Sequence, residues 1–164
     1  MMFRHILVTL DGSTYSERVL SYIPDLAGLA AARVTLLSVM LAPASPLDRE
    51  RTRSTVPEID FYRAYLDRHA TALREGGIGE VATEVRTGIP ARVIAEVARE
   101  LQVDLIAMST QGVGAETDVG LGSVASQILM WAPCPLFMVR IDRPKPAGTP
   151  AEERWQSEGG ANVG

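Results

Sequence analysis

The sequence predicts an α/β domain: a five-stranded parallel sheet with helices on both faces. Three observations lead there. Five apolar, β-branched runs are spaced along the chain, and segments with helical apolar periodicity fill the intervals between them. Four of those runs are nearly continuous rather than alternating, as strands covered on both faces require. Regular alternation of strand and helix then gives parallel strands joined by right-handed crossovers.

The first run, residues 3–10 (FRHILVTL), opens the sheet. A helical pattern over 13–32 follows, with Val19, Leu20, Ile23, Leu26, Ala27 and Ala30 on one face. Pro24 lies inside it and is expected to bend or interrupt it, because proline lacks the N–H that a helix interior needs. The second run is 33–40 (RVTLLSVM). Residues 41–57 hold Pro43, Pro46 and Pro57 together with a charge run at 48–53, and read as a mobile loop or lid. A helix over 58–75 sets Ile59, Tyr62, Leu66, Ala70 and Leu73 on one face. The third run, 80–86 (EVATEVR), alternates and is expected at a half-exposed sheet edge. Pro90 starts a helix over 90–101 with Val93, Ile94, Val97, Ala98 and Leu101 inward. The fourth run is 103–109 (VDLIAMS). A helix over 123–131 stops at Ala132-Pro133, and the fifth run is 135–141 (PLFMVRI). Residues 142–164, rich in Pro and Gly with little to bury, read as a disordered tail carrying Trp155.

Composition narrows the function. The chain has 164 residues, enough for one domain with a real core. Its net charge of −4 gives no electrostatic footprint for nucleic acid or an anionic membrane. No apolar run reaches the roughly 18 residues of a membrane span, and the opening Met1-Met2-Phe3-Arg4-His5 is no secretory signal. Cys134 is the single cysteine, so an internal disulfide and a cysteine zinc site are excluded and a cytoplasmic location is expected. Of the 16 basic residues only Lys145 is a lysine, and it lies in the tail. Chemistry that needs a core lysine is therefore excluded: a P-loop, a Schiff base, a kinase strand lysine. His5 lies inside a strand and His69 on a helix, and both read as structural. Cys134, between prolines, reads as a small buried hydrophobe.

In an open parallel sheet ligands bind at the carboxyl ends of strands, where the strand order reverses. The loop after the first strand is Thr9-Leu10-Asp11-Gly12-Ser13. Asp11 there suits ribose hydroxyls or a metal, and equally suits a helix N-cap. The loop after the fourth strand contains Gly112, Gly114, Gly120 and Gly122 and runs into a helix at Ser123. Glycines admit close backbone approach, Ser123 and Ser126 add hydroxyls, and a helix N-terminus favours an anion. This reads as a phosphate cradle without lysine, or as a capped glycine loop.

The stretches Ile6-Leu7-Val8-Thr9-Leu10-Asp11-Gly12-Ser13, Gly88-Ile89-Pro90, Asp104-Leu105-Ile106-Ala107-Met108 and Ala132-Pro133-Cys134-Pro135-Leu136-Phe137-Met138-Val139, with the glycine loop, resemble the universal stress protein family over residues 1–141. The resemblance implies a Rossmann-like sheet of order 3-2-1-4-5. It implies an ATP site of pattern Gly, two residues, Gly, nine residues, Gly, then Ser or Thr, whose slots are Ser109, Gly112, Gly122 and Ser123. Thr9, Leu10 and Asp11 would meet ribose and adenine, and Val39 would line the adenine pocket. Met108 and Ser109 would sit under the nucleoside, and Gly112, Gly122, Ser123, Val124 and Ala125 would contact phosphates. It further implies a homodimer through the last strand, Leu136, Phe137, Met138 and Val139, and a regulatory role with little or no turnover.

Four residues depart from the family pattern. Ser109 fills a glycine slot, Gln111 stands where His is common, and Glu116 and Asp118 replace basic residues. Carboxylates beside a triphosphate call for a bridging Mg²⁺ or Mn²⁺. Arg49, Arg51 and Arg53 read as a solvated face. The alternative is a dimeric protein-interaction module that binds no nucleotide.

Overall fold

The computed structural model describes residues 3–28, 32–42, 55–111 and 121–140. Strands β1 (His5–Thr9), β2 (Arg33–Leu41), β3 (Glu80–Gly88), β4 (Leu105–Ser109) and β5 (Leu136–Val139) form one sheet of order β3-β2-β1-β4-β5. All four pairings are parallel. The expected α/β class and strand order are both present. Consecutive strands run outward from β1 to β3, and the chain then crosses to β4 on the other side of β1, so the order reverses between β1 and β4.

Successive residues of a strand face opposite sides of a sheet, and the core divides accordingly. Ile6, Val8, Val34, Leu36, Leu105 and Ala107 lie in one apolar cluster, which also takes in Val19 and Ile23 and, from helix α3 (Thr55–Glu75), Leu66, Ala70 and Leu73. Leu7, Leu37, Ile106 and Met108 lie in the other, with Ile94, Val97 and Ala98 of helix α4 (Pro90–Glu100) and Ala125 and Ile128 of helix α5 (Ser123–Trp131). Helices cover both faces, as the near-continuous strands require. β3 pairs only with β2 and has few buried residues, which agrees with its alternating sequence.

Two expectations are corrected. The single helix over 13–32 is instead α1 (Thr14–Glu17), a 3-10 segment (Arg18–Tyr22) and α2 (Ile23–Ala27), with residues 29–31 outside the described set. Pro24 sits in the first turn of α2, where its missing N–H has no intrahelical partner to lose, and the chain ahead of it tightens to 3-10 geometry. Gly28, at φ +67°, ends α2. The segment read as a 41–57 loop is shorter at both ends, since Leu41 closes β2 and α3 begins at Thr55. Residues 43–54 lie outside the described set, and so does the 142–164 tail with Trp155.

His5 is structural, as expected. Its Nδ1 lies 3.2 Å from the Leu101 carbonyl oxygen and its Nε2 2.9 Å from the buried Thr35 hydroxyl. A carbonyl only accepts, so Nδ1 carries the proton and Nε2 accepts from Thr35. His69, read as having no partner, has Glu17 Oε1 at 3.4 Å from its Nε2, without hydrogen-bond geometry. α1 and α3 supply the two groups, so no local spacing announces the contact. Cys134 is half-buried against the α4–α5 cluster, and burial raises its thiol pKa, which suits packing over reactivity.

Candidate functional site at the carboxyl ends of β1 and β4

The turn after β1 is held by its own side chains. Asp11 Oδ1 accepts the Ser13 N–H at 3.0 Å and the Ser13 hydroxyl at 2.6 Å. Ser13, not Asp11, caps α1: its Oγ accepts the Ser16 N–H at 3.1 Å. Ser16 Oγ donates to the Ser13 carbonyl and accepts the Asp11 N–H. Gly12 takes φ +84°, a region that side chains disfavour, and lies beneath the Tyr62 ring of α3. Burial, with Glu58 and Asp11 nearby, pushes the Tyr62 phenol pKa up and keeps it neutral. Half-buried Asp11 is thus fixed in direction at the mouth of the sheet.

Thr9 is half-buried at the end of β1. Leu10 belongs to the core, and both of its backbone groups are taken: its N–H donates to Leu37, and its carbonyl accepts the Ser38 hydroxyl at 2.7 Å. Val39 is half-buried on the α4–α5 face, where Met108 is also found, 4% exposed.

Thr110 N–H donates to the Val139 carbonyl at 3.0 Å, and the Thr110 carbonyl accepts the Gly122 N–H at 2.8 Å. Gly122 is the N-cap of α5, and no side chain caps the helix. A Cβ at Gly122 would lie 3.2 Å from the Thr110 oxygen, so glycine is needed there for close approach. The first-turn N–H groups of Ser123, Val124 and Ala125 have no intrahelical acceptor. Ser123 is exposed, Val124 half-buried and Ala125 buried. Gly112 lies outside the described residues, as do Gly114, Gly120, Glu116 and Asp118.

Ser109, in the slot where the sequence pattern calls for glycine, is 5% exposed, and its hydroxyl donates to the Gln111 carbonyl. Gln111 is 8% exposed, and its Oε1 is buried with no hydrogen-bond partner. Sequence reasoning marked Gln111 only as a departure from a pattern and did not foresee its burial. It also missed the Tyr62 ring over Gly12, because Tyr62 sits on an apolar helix face and reads as core.

The structure therefore brings the Asp11 turn and the open start of α5 to the ends of adjacent strands, at the reversal point where open α/β sheets bind ligands. The groups at these ends are backbone N–H groups and hydroxyls at the start of α5 and one carboxylate, Asp11, held in its own turn. Among the described residues no group of three or more His, Cys, Asp or Glu is placed to hold a metal ion, and no helix is long and apolar enough to cross a membrane.

Comparison with known proteins places the fold. A Staphylococcus aureus (strain USA300) protein provisionally named a universal stress protein is 26% identical over 163 residues, covering 94% of this chain and 98% of its own. The solved structure of universal stress protein UspA from Lactobacillus plantarum superposes with a TM-score of 0.77 at 23% identity, over 85% of this chain and 99% of that one. A family protein from Arabidopsis thaliana with AMP bound gives 0.62 at 20% identity, over 85% and 92% of the two chains. A universal stress protein in complex with cAMP gives 0.62 at 21%, over 87% and 100%. The model of the universal stress protein family matches residues 2–140, and the chain belongs to that family.

Proposed function

We propose that this protein binds an adenine nucleotide, ATP with a divalent cation, in the crevice between the carboxyl ends of β1 and β4, and acts as a regulatory homodimer with little or no turnover. The observation that carries the reading is the pairing of a fixed carboxylate, Asp11, with an uncapped helix start at Gly122-Ser123 on the neighbouring strand. A carboxylate suits ribose hydroxyls, and a helix N-terminus suits phosphate. Thr9, Val39 and Met108 would line the nucleoside side, and Ser123, Val124 and Ala125 the phosphate side. Bound AMP and cAMP in two family members support the ligand class.

The dimer reading rests on β5. It pairs only with β4, and Leu136, Phe137 and Met138 are half-buried on that edge. An apolar edge strand needs cover, which a second copy pairing across a two-fold axis supplies. A cytoplasmic location is supported by the single cysteine.

The test is to release small molecules from the purified chain by denaturation, identify them by mass spectrometry, and titrate ATP with Mg²⁺ by calorimetry. Co-purified adenine nucleotide, lost in Asp11→Ala and Gly122→Asp, is the expected result. An empty protein that ignores millimolar ATP would overturn it. That outcome would favour the second reading, an interaction module without nucleotide, for which Ser109 in a glycine slot is the supporting observation. Sedimentation that shows only monomer at micromolar concentration would sink the dimer.

A further inference from the structure

Helices α4 and α5 lie side by side over the same apolar cluster on one face of the sheet. The groove between their outer surfaces is lined by Ile89, Arg92, Glu96 and Arg99 along α4 and by Met130 and Trp131 at the end of α5. Ile89 is 58% exposed, Met130 80% and Trp131 46%. Single exposed apolar side chains are ordinary, but a set gathered along one groove marks a contact surface. One end of the groove is braced. Arg99 Nη1 donates to the Ala95 carbonyl at 3.3 Å and its Nη2 to the Trp131 carbonyl at 3.2 Å, which holds α5 against α4. None of these residues lies on β5.

The side chains along α4 are placed symmetrically. Ile94 is buried in the core. Arg92 and Glu96 lie two residues to either side of it, and Ile89 and Arg99 five residues to either side. At roughly 100° per residue all four fall within about 40° of the pole opposite Ile94, so they form one outward stripe. Arg92 Nε and Glu96 Oε1 are 3.8 Å apart, too far for a hydrogen bond, and both side chains are more than half exposed. Glu100, by contrast, is already held by Arg86 at 3.0 Å. The stripe thus offers one cation and one anion at equal distances from its centre. A partner of single charge, acidic or basic, would set like against like at one of them. A second α4 laid antiparallel about a two-fold axis level with Ile94 would not. Arg92 would then meet the second copy's Glu96, and Glu96 the second copy's Arg92, while Ile89 would meet the aliphatic stem of the second copy's Arg99.

We propose that this groove is an interface for a second copy of the chain, with α4 packed antiparallel on α4 and reciprocal Arg92–Glu96 pairs flanked by Ile89, Met130 and Trp131. It is a different surface from the β5 edge and does not depend on that pairing. The apolar residues supply contact area, and the charges fix the register and reject other partners. With both contacts, pairs of chains join into assemblies of four copies or more. With this contact alone, the assembly holds two.

The experiment is sedimentation of the full chain from micromolar to millimolar concentration at low salt. It compares the natural chain, Arg92→Glu, Glu96→Arg, an equimolar mixture of those two variants, and Met130→Glu. The natural chain should reach at least twice the mass of either charge variant, with self-association weakened at least about tenfold in each, because like charges then face one another across the axis. Met130→Glu should lose the same association. The mixture should regain the natural mass: two carboxylates of one variant meet two guanidinium groups of the other, while the Arg92–Glu96 pair within each chain stays broken. A pair that serves only its own helix predicts no rescue on mixing. Equal mass for the natural chain and both charge variants, or variants that mixing does not restore, would overturn the inference. Pairing through β5 is read separately. With it, four copies or more fall to two in the charge variants, and without it two fall to one. Natural dimers that the charge variants leave intact would overturn this inference and leave the β5 reading standing.

Discussion

The Ser13 hydroxyl donates to Asp11 Oδ1 at 2.6 Å, while the same Ser13 oxygen accepts the Ser16 N–H at 3.1 Å. One side chain thus caps α1 and orients the carboxylate proposed to meet ribose. The structural and ligand roles of Asp11 are superposed, and simple truncation would remove both. Asp11→Asn separates them, because its amide oxygen still accepts from Ser13 while the charge is lost. Asp11→Ala should cost about 1–2 kcal/mol of unfolding free energy and abolish measurable nucleotide affinity. Asp11→Asn should recover most of the stability but not the affinity. Denaturant melts and calorimetry on the same preparations decide it; equal affinity in Asn and natural protein would remove ribose binding from Asp11.

At Gly122 the constraint is space, not conformation, since its φ of −59° is open to any residue. An alanine methyl would meet a backbone oxygen that is already bonded to the Gly122 N–H, so the strand β4 exit and the start of α5 must part by a few tenths of an ångström. Gly122→Ala should cost about 1 kcal/mol and reduce nucleotide affinity through displacement of the Ser123–Ala125 N–H groups. Gly122→Asp adds a negative charge at the anion end and should abolish binding with a comparable loss of stability. An Ala variant that binds as tightly as the natural chain would show that this approach does not position the cradle.

Burial lowers the His5 imidazole pKa, the largest cause, although the Leu101 carbonyl opposes it. In the unfolded chain the group titrates at its ordinary value, so through the window between the folded and unfolded pKa the unfolded state binds more protons. Stability therefore rises with pH through that window, is fully present above the unfolded value, and is lost as pH falls toward the folded one. The melting temperature should drop from pH 7.5 to pH 5.5, and the slope should flatten in His5→Gln even though that variant is less stable overall. Equal slopes would assign the acid sensitivity elsewhere.

What was legible in the sequence was what local pattern determines. The near-continuous runs around Leu7, Leu36 and Ile106 marked covered strands, and the alternation about Val81 marked an edge. The order of the strands was not in the periodicity and came from the resemblance carried by the Asp11, Pro90 and Pro133 motifs. Pro24 foretold a break but not the 3-10 segment ahead of it, because propensity does not measure how tightly a turn must wind to pack Val19 beneath the helix. Asp11 and Ser13 are both good caps, and only the geometry of the turn chose between them. Gln111 was least legible. Gln111 is 8% exposed, and a loop without periodicity carries no signal of burial.

No Lys, Arg or His occurs between Glu100 and Arg140, so β4, α5 and their connection supply no cation to the phosphate end of the crevice. The α5 N-terminus offers only about half an elementary charge. The connection carries Glu116 and Asp118, and Asp11 stands at the opposite wall. By sequence, β4, its connection and α5 hold acidic residues and no basic one to meet a free triphosphate of high negative charge. Nothing among the described residues is arranged to hold a metal by itself, so a divalent cation would enter as the nucleotide complex and offset the acidic groups from the ligand side. ATP affinity should therefore fall at least about tenfold on addition of chelator, with Mg²⁺ or Mn²⁺ restoring it, while AMP affinity should change little. Higher salt should strengthen the metal-free binding, because screening of long-range repulsion partly replaces the cation. ATP affinity equal with and without chelator would show that the crevice recognises the nucleoside and leaves the distal phosphates in solvent.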